Sequence, residues 1–111
     1  MITDNLVFKR QGYCQSFEAV AAGNYRLSIQ GSSAHYCTPK SEGPCHRYTS
    51  MELAIFPKGK GGFLHFKKSS VMRTFPRYDE LVDRMDGKGG TVFGYVPVDL
   101  IDELYNYLKN K

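Results

Sequence analysis

The chain has 111 residues, 41% hydrophobic and 14% aromatic, with a formal net charge of +4. This composition excludes a disordered polypeptide, and the length suits one domain, since two would each be too small to bury a stable core. No stretch approaches the roughly 18 apolar residues of a membrane span, so we expect no signal peptide, no transmembrane helix and no membrane partner. We therefore expect a cytoplasmic protein in which the cysteines are free thiols: Cys14, Cys37 and Cys45.

The first part of the chain is predicted to form short strands. Residues 6–8 are apolar and predict an opening strand. Residues 13–22 favour an extended segment, with a short helix ended by Gly23 as the alternative. Tyr25–Gln30 alternates apolar and polar side chains and predicts a strand. Residues 35–38 are expected to resume an extended path between two loops.

A β-hairpin is predicted over residues 48–66. Its outgoing arm shows the period-2 pattern of a half-buried strand, with apolar side chains at Met51, Leu53 and Ile55. The segment 57–62 holds three glycines and a proline and predicts a turn. Residues 63–66 are then expected to return as the second arm.

Two helices and one more strand are predicted after the hairpin. Residues 67–74 are polar and basic and indicate an exposed connection that Val71 and Met72 pin to the core. Apolar spacing predicts a short helix over 76–85, which the glycines of 87–90 end. Residues 91–96 predict a strand. The final helix follows Pro97, and its apolar stripe consists of Ile101, Leu104, Tyr105 and Leu108.

These elements predict an α+β fold. We expect a single domain over residues 1–111, with a mostly antiparallel sheet of four or five strands. The C-terminal helix and the shorter helix are expected to pack on one face of that sheet. The pattern leaves strand order open.

Charge is distributed unevenly along the chain. Residues 1–77 carry eleven Lys/Arg against four Asp/Glu, whereas residues 78–111 carry four against seven. The segment 57–77 contains no acid and six bases: Lys58, Lys60, Lys67, Lys68, Arg73 and Arg77. This distribution predicts one positive surface, which bears on binding partners.

Aromatic side chains alternate with these bases around the predicted hairpin. Single-stranded nucleic acid is bound by cations that meet phosphates and by exposed rings on which bases stack. Solvated lysines at a hairpin tip are the competing interpretation, because charged edges also prevent aggregation. We predict a partner-binding surface formed by Lys58, Lys60, Phe63, His65, Lys67, Lys68 and Arg73.

Two groups of residues could carry other chemistry. His35, Cys37, Cys45 and His46 have the donor types of a zinc site, but adjacent Cys45 and His46 point apart in an extended chain, so we expect no metal and no cofactor. The glycine-rich turns at 59–62 and 87–90 share four residues, yet each precedes a predicted strand, unlike a Walker loop, which precedes a helix.

Catalytic residues are not specified by any motif. A thiol enzyme could be assembled from Cys14 or Cys37 with a histidine, and a hydrolase from Ser32 or Ser33, but Gly31 lacks the partner glycine of a nucleophile elbow. Glu52 is a carboxylate within a predicted strand and has no identifiable partner for acid and base catalysis. We therefore assign no catalytic residue and keep a small Cys/His enzyme as the second alternative function.

The preferred function is that of a small non-enzymatic binding protein. We expect it to dock on a protein or nucleoprotein partner through the basic hairpin surface. An accessory or inhibitor protein of a phage or plasmid, such as an anti-CRISPR protein, is one form of this hypothesis. A single-stranded nucleic-acid-binding module is the first alternative.

Overall fold

An antiparallel sheet of five strands forms the centre of the computed structural model, which describes residues 1–86 and 92–111. Its strand order is β3-β4-β5-β7-β6, and a separate two-stranded sheet is formed by β1 and β2. The strands are β1 (Phe8–Arg10), β2 (Ser16–Phe17), β3 (Val20–Ala22), β4 (Tyr25–Gln30), β5 (Ser50–Pro57), β6 (Met85–Asp86) and β7 (Val92–Pro97). Three helices accompany them: α1 (Ser70–Arg73), α2 (Tyr78–Val82) and α3 (Val98–Leu108). The predicted α+β class is confirmed.

The two faces of the sheet differ because side chains alternate along each strand. On β5 the residues Met51, Leu53 and Ile55 are almost completely buried, and α3 covers this face with its own buried stripe. That stripe consists of Leu100, Ile101, Leu104 and Leu108. We call the opposite side of the sheet the outer face; its residues on β4 and β5 are Arg26, Ser28, Gln30, Glu52, Ala54 and Phe56.

The segment 16–22 forms an interrupted edge strand beside β4. Val20 pairs with Leu27, and continuing this register would place Phe17 opposite Gln30. There the side-chain amide of Gln30 replaces the backbone: its Oε1 accepts from Phe17 N at 2.7 Å and its Nε2 donates to Phe17 O at 2.8 Å. The predicted extended structure over 13–22 is therefore confirmed for residues 16–22 but not for residues 13 and 14, which form a turn, and the alternative short helix is wrong.

The predicted second arm of the hairpin is wrong. Leu64 N donates to Ile55 O at 2.9 Å, so the chain does return beside β5, but residues 63–66 do not form a strand. Beyond this hydrogen bond the chain leaves β5, because Phe66 packs into the core against Tyr78 and Phe93. A 3₁₀ turn at Phe66–Lys68 follows instead.

The segment between the hairpin and the last strand is more structured than its sequence indicated. Residues 67–74 include α1, and Met72 is buried as predicted. The second helix ends at Val82, not at residue 85, because Met85 pairs with Phe93 as part of β6. The predicted turn at 87–90 lies outside the described residues.

None of the helices in residues 1–86 and 92–111 is both long enough and apolar enough to cross a bilayer.

Candidate partner-binding surface

The predicted binding residues all lie on the surface of the protein. Lys58 and Lys60 follow the end of β5, Lys67 and Lys68 belong to the 3₁₀ turn, and Arg73 ends α1. All of these are exposed, and so are Phe63 and His65. Their neighbours Leu64 and Phe66 face inward, and Phe66 is only 2% exposed.

We call the five exposed bases Lys58, Lys60, Lys67, Lys68 and Arg73 the basic surface. Contacts through the C-terminus join the segments that carry two of them, Lys58 and Arg73. Lys58 N donates to Asn24 O at 2.8 Å, and Asn24 Nδ2 donates to Lys111 O at 2.6 Å. The Lys111 ammonium lies 4.7 Å from the centre of the Tyr107 ring, whose hydroxyl donates to Val71 O in α1. The C-terminal end of α3 therefore joins the β5 turn to the helix that carries Arg73.

The bases of the basic surface have no acidic partner within 4.0 Å in the part of the chain that the structure describes. Arg77 is different: its guanidinium lies 2.6 Å from Glu80, 3.0 Å from Asp99 and 3.3 Å from Glu103. This hydrogen bonding holds the pKa of Glu80 below its usual range. Of the six bases in 57–77, Arg77 is thus used in an internal ion-pair cluster, and the other five are available to a partner.

One partly exposed aromatic pair borders the basic surface on the outer face. The rings of Phe56 and Phe63 stack with centroids 4.9 Å apart, and the Arg26 guanidinium lies 5.5 Å from the centre of the Phe56 ring. Arg26 pairs with Phe56 across the β4–β5 ladder, so the same sheet register positions the cation and the ring. Phe63 remains 43% exposed in this arrangement.

A second pair, Tyr36 with Tyr95, was not identified from sequence. The rings stack at 5.8 Å, and both side chains are 42% exposed. A β-bulge positions Tyr95: Gly94 and Tyr95 on β7 lie opposite the single residue Glu52 on β5, and Tyr95 adopts a φ of +50°. Such a φ is unfavourable for a bulky side chain. The sequence signal that could have been used is Gly94, because a glycine within a predicted strand can mark a β-bulge.

The four donors considered for zinc do not converge. Cys37 Sγ donates to Ser32 O at 3.2 Å, whereas Cys45 Sγ donates to Leu6 O at 3.8 Å, in different parts of the core. His46 is exposed, and His35 Nδ1 contacts Ser32 Oγ. Within the described residues there is no group of three or more His, Cys, Asp or Glu side chains suited to a metal ion.

Ser32, one of the two serines considered for a hydrolase, does contact a histidine. Ser32 Oγ lies 2.6 Å from His35 Nδ1, but the serine is fully buried and its oxygen also accepts from Ala34 N at 3.0 Å. These contacts stabilise a loop. Burial raises the pKa of the Cys37 thiol, which disfavours the thiolate that a nucleophile requires. Neither geometry prepares a side chain for attack on a substrate.

The buried phenol of Tyr48 gives the protein an alkaline pH dependence. Its hydroxyl donates to Ser41 O at 2.6 Å and accepts from Gln15 Nε2 at 2.9 Å, and burial raises the pKa of Tyr48 to about 12. In the unfolded chain this pKa is about 10, so between about pH 10 and 12 only the unfolded state loses the proton. We expect the free energy of unfolding to fall by about 2–3 kcal/mol over this interval.

The matched variant for this prediction is Tyr48→Phe, which has no proton to lose. Urea unfolding of both proteins should show the stability advantage of the wild type shrinking as pH rises above about 10. A difference between the two that stays constant up to about pH 12 would contradict the assignment.

Comparison with known proteins gave no match, whether to a protein-family model, to a curated sequence or to a solved structure. The geometry and the charge of the surface are therefore the basis for a functional proposal.

Proposed function

We propose that this protein is a small non-enzymatic binding protein that docks on an anionic macromolecular partner, a nucleoprotein or an acidic protein, through the basic surface. The single observation that carries this proposal is the presence of five exposed bases between residues 58 and 73 that have no acidic partner among the described residues. Unpaired cations that share one surface attract anions over roughly a Debye length and accelerate association.

The internal ion pairs of Arg77 support a division of the charged residues into two roles. Three carboxylates, Glu80, Asp99 and Glu103, surround that one guanidinium near the N-terminal end of α3. The segments that carry two of the unpaired bases, Lys58 and Arg73, contact the other end of the same helix near Lys111. An anionic partner would thus meet the unpaired bases, whereas the charge of Arg77 is already balanced by its three carboxylates.

The proposal includes a cellular setting. The chain acts as a single α+β domain over residues 1–111 in the cytoplasm, with its cysteines reduced. An accessory or inhibitor protein of a phage or plasmid, of the kind that anti-CRISPR proteins represent, fits its small size and its binding surface.

Charge reversal tests the basic surface. We expect the combined variant Lys58→Glu, Lys60→Glu and Lys67→Glu to bind heparin at least about tenfold more weakly than the wild type. Heparin is a polyanion that carries no nucleobases. The affinity of the wild type for heparin should also fall as the salt concentration rises, because the lysine and arginine side chains release counterions from the polyanion when they bind it. The measurement is fluorescence anisotropy of labelled heparin over a range of salt concentrations.

A matched control changes the same amount of charge elsewhere. Lys9, Arg10 and Arg47 are exposed. The first two lie on β1, and Arg47 ends the 3₁₀ turn Cys45–Arg47. This turn contacts residues near the N-terminus, where Ile2 N donates to Asp102 of α3. Reversal of these three bases to Glu should reduce binding only slightly. Equal losses in the two variants would show that net charge alone controls binding, and would overturn the proposed surface.

A further inference from the structure

The outer face of the sheet has an aromatic pair at each end, and we call the part of it between these pairs the trough. Ser28 and Ala54, which have short side chains, pair across β4 and β5 at its centre. The stacked pair Phe56–Phe63 lies at one end, and Tyr36–Tyr95 lies at the other. Glu52, opposite the bulge that carries Tyr95, and Phe56 are four positions apart on β5, a distance of about 13 Å along the strand.

The tyrosine pair is held in place by backbone interactions. Tyr95 N donates to Tyr36 O at 3.0 Å, and Arg84 Nη1 donates to Tyr95 O at 2.9 Å. Glu52 accepts from Tyr36 N at 2.9 Å, so this carboxylate of the trough is engaged in positioning a ring. The β-bulge and the unfavourable φ of Tyr95 cost folding free energy. In return they keep the tyrosine ring 42% exposed to solvent.

Each aromatic pair has a cation beside it. Arg26 lies over Phe56 at 5.5 Å, and the Lys40 ammonium lies 5.2 Å from the centre of the Tyr36 ring. Lys58 and Lys60 leave β5 directly after Phe56, which connects the trough to the basic surface. Each end of the outer face therefore combines an exposed ring with a cation.

We propose that the outer face binds single-stranded nucleic acid, with bases stacked on the Tyr36–Tyr95 and Phe56–Phe63 pairs and phosphates on the neighbouring cations. This inference rests on the proposed function, because it specifies the anionic partner of the basic surface. Single strands combine an anionic backbone with unpaired planar bases, and stacking on aromatic rings accepts any base. An acidic protein surface would use the cations but would leave the two ring pairs without a role.

The test compares polymers that differ only in their bases. The probes are an oligothymidylate of about 15 nucleotides and an abasic deoxyribose phosphate oligomer of equal length. We expect the wild type to bind the oligothymidylate about tenfold to a hundredfold more tightly than the abasic oligomer at about 50 mM salt. The chain has no tryptophan, so its intrinsic emission comes from tyrosine, and stacking should quench it.

Variants of the rings separate stacking from charge. The combined change Tyr36→Leu and Phe63→Leu should remove most of the preference for the oligothymidylate and leave heparin binding within about twofold of the wild type. Tyr36→Phe, which keeps the ring, should retain the preference. Tyr13 is 78% exposed and has no stacking partner among the described residues, so Tyr13→Leu is the matched control and should change neither affinity.

The outcomes distinguish this inference from the proposed function. Equal affinity of the wild type for the two oligomers, with heparin binding still dependent on Lys58, Lys60 and Lys67, would overturn the stacking platform alone. Competition by polyglutamate as effective as that by oligothymidylate would overturn it in favour of an acidic protein partner. Heparin binding that does not depend on those lysines would overturn the proposed function itself.

Discussion

Replacing Gly23 with alanine is expected to lower the free energy of unfolding by about 2–5 kcal/mol. Gly23 has a φ of +60°, which a residue with a Cβ adopts at a cost of about 1–2 kcal/mol. The new Cβ would also lie 2.1 Å from the Leu108 carbonyl oxygen, a backbone atom in the last turn of α3. Because backbone cannot rotate away as a side chain can, the helix end or the β3–β4 turn must shift.

Gly12→Ala is the matched control for this prediction. Gly12 has a φ of +90°, but a Cβ added there would meet nothing within 4 Å, so the substitution adds backbone strain without a clash. We expect it to cost about 1–2 kcal/mol in urea unfolding. A Gly23→Ala loss no larger than that of Gly12→Ala would mean that α3 does not pack against this turn as described.

The Gly23 contact also matters for binding. The residue after it, Asn24, donates to Lys111 O and accepts from Lys58 N, and these hydrogen bonds join two parts of the basic surface. A shift of the β3–β4 turn would therefore displace Lys58. We therefore expect Gly23→Ala to weaken heparin binding as well as to lower the free energy of unfolding.

Local patterns predicted most of the sheet and the C-terminal helix. The period-2 alternation of Tyr25–Gln30 and the apolar stripe of α3 each report which side chains face a core, and this information is contained in a short stretch of sequence. For the same reason the exposure of Phe63 and His65 and the burial of Phe66 follow the alternation of that segment, although no strand forms there.

The remaining features depend on which strands become neighbours. Residues 63–66 have a strand-like pattern, but β7 is the neighbour of β5 as far as Ala54, and Phe66 packs against Tyr78 and Phe93 instead of extending a strand. The Tyr36–Tyr95 pair joins a loop to a strand 59 positions away, and although a strand glycine such as Gly94 can mark a bulge, no local pattern indicates which loop lies beside it. Half of the candidate stacking surface was therefore inaccessible to sequence reasoning, whereas the basic residues were visible as a run of charge.

Phe66→Ala is expected to cost about 3–5 kcal/mol, which is a large part of the stability of a domain of this size. Phe66 stacks on Tyr78 at 5.1 Å and meets the edge of Phe93 at 4.9 Å, so its removal leaves a cavity between α2 and β7. The buried ring also fixes the 3₁₀ turn that carries Lys67 and Lys68. We therefore expect weaker heparin binding as well as lower stability, measured by urea unfolding and anisotropy.

Phe63→Ala provides the comparison, because Phe63 is three residues away and 43% exposed. We expect it to cost only about 1 kcal/mol, since the ring is half solvated before the change. If Phe66→Ala does not fold, Phe66→Leu should still cost more than Phe63→Leu, because only the former removes buried ring contacts. The reverse order would mean that the segment faces the other way, with Phe63 in the core and Phe66 in solvent. The lysines would then be attached to a different surface, and both proposed binding roles would lose their structural basis.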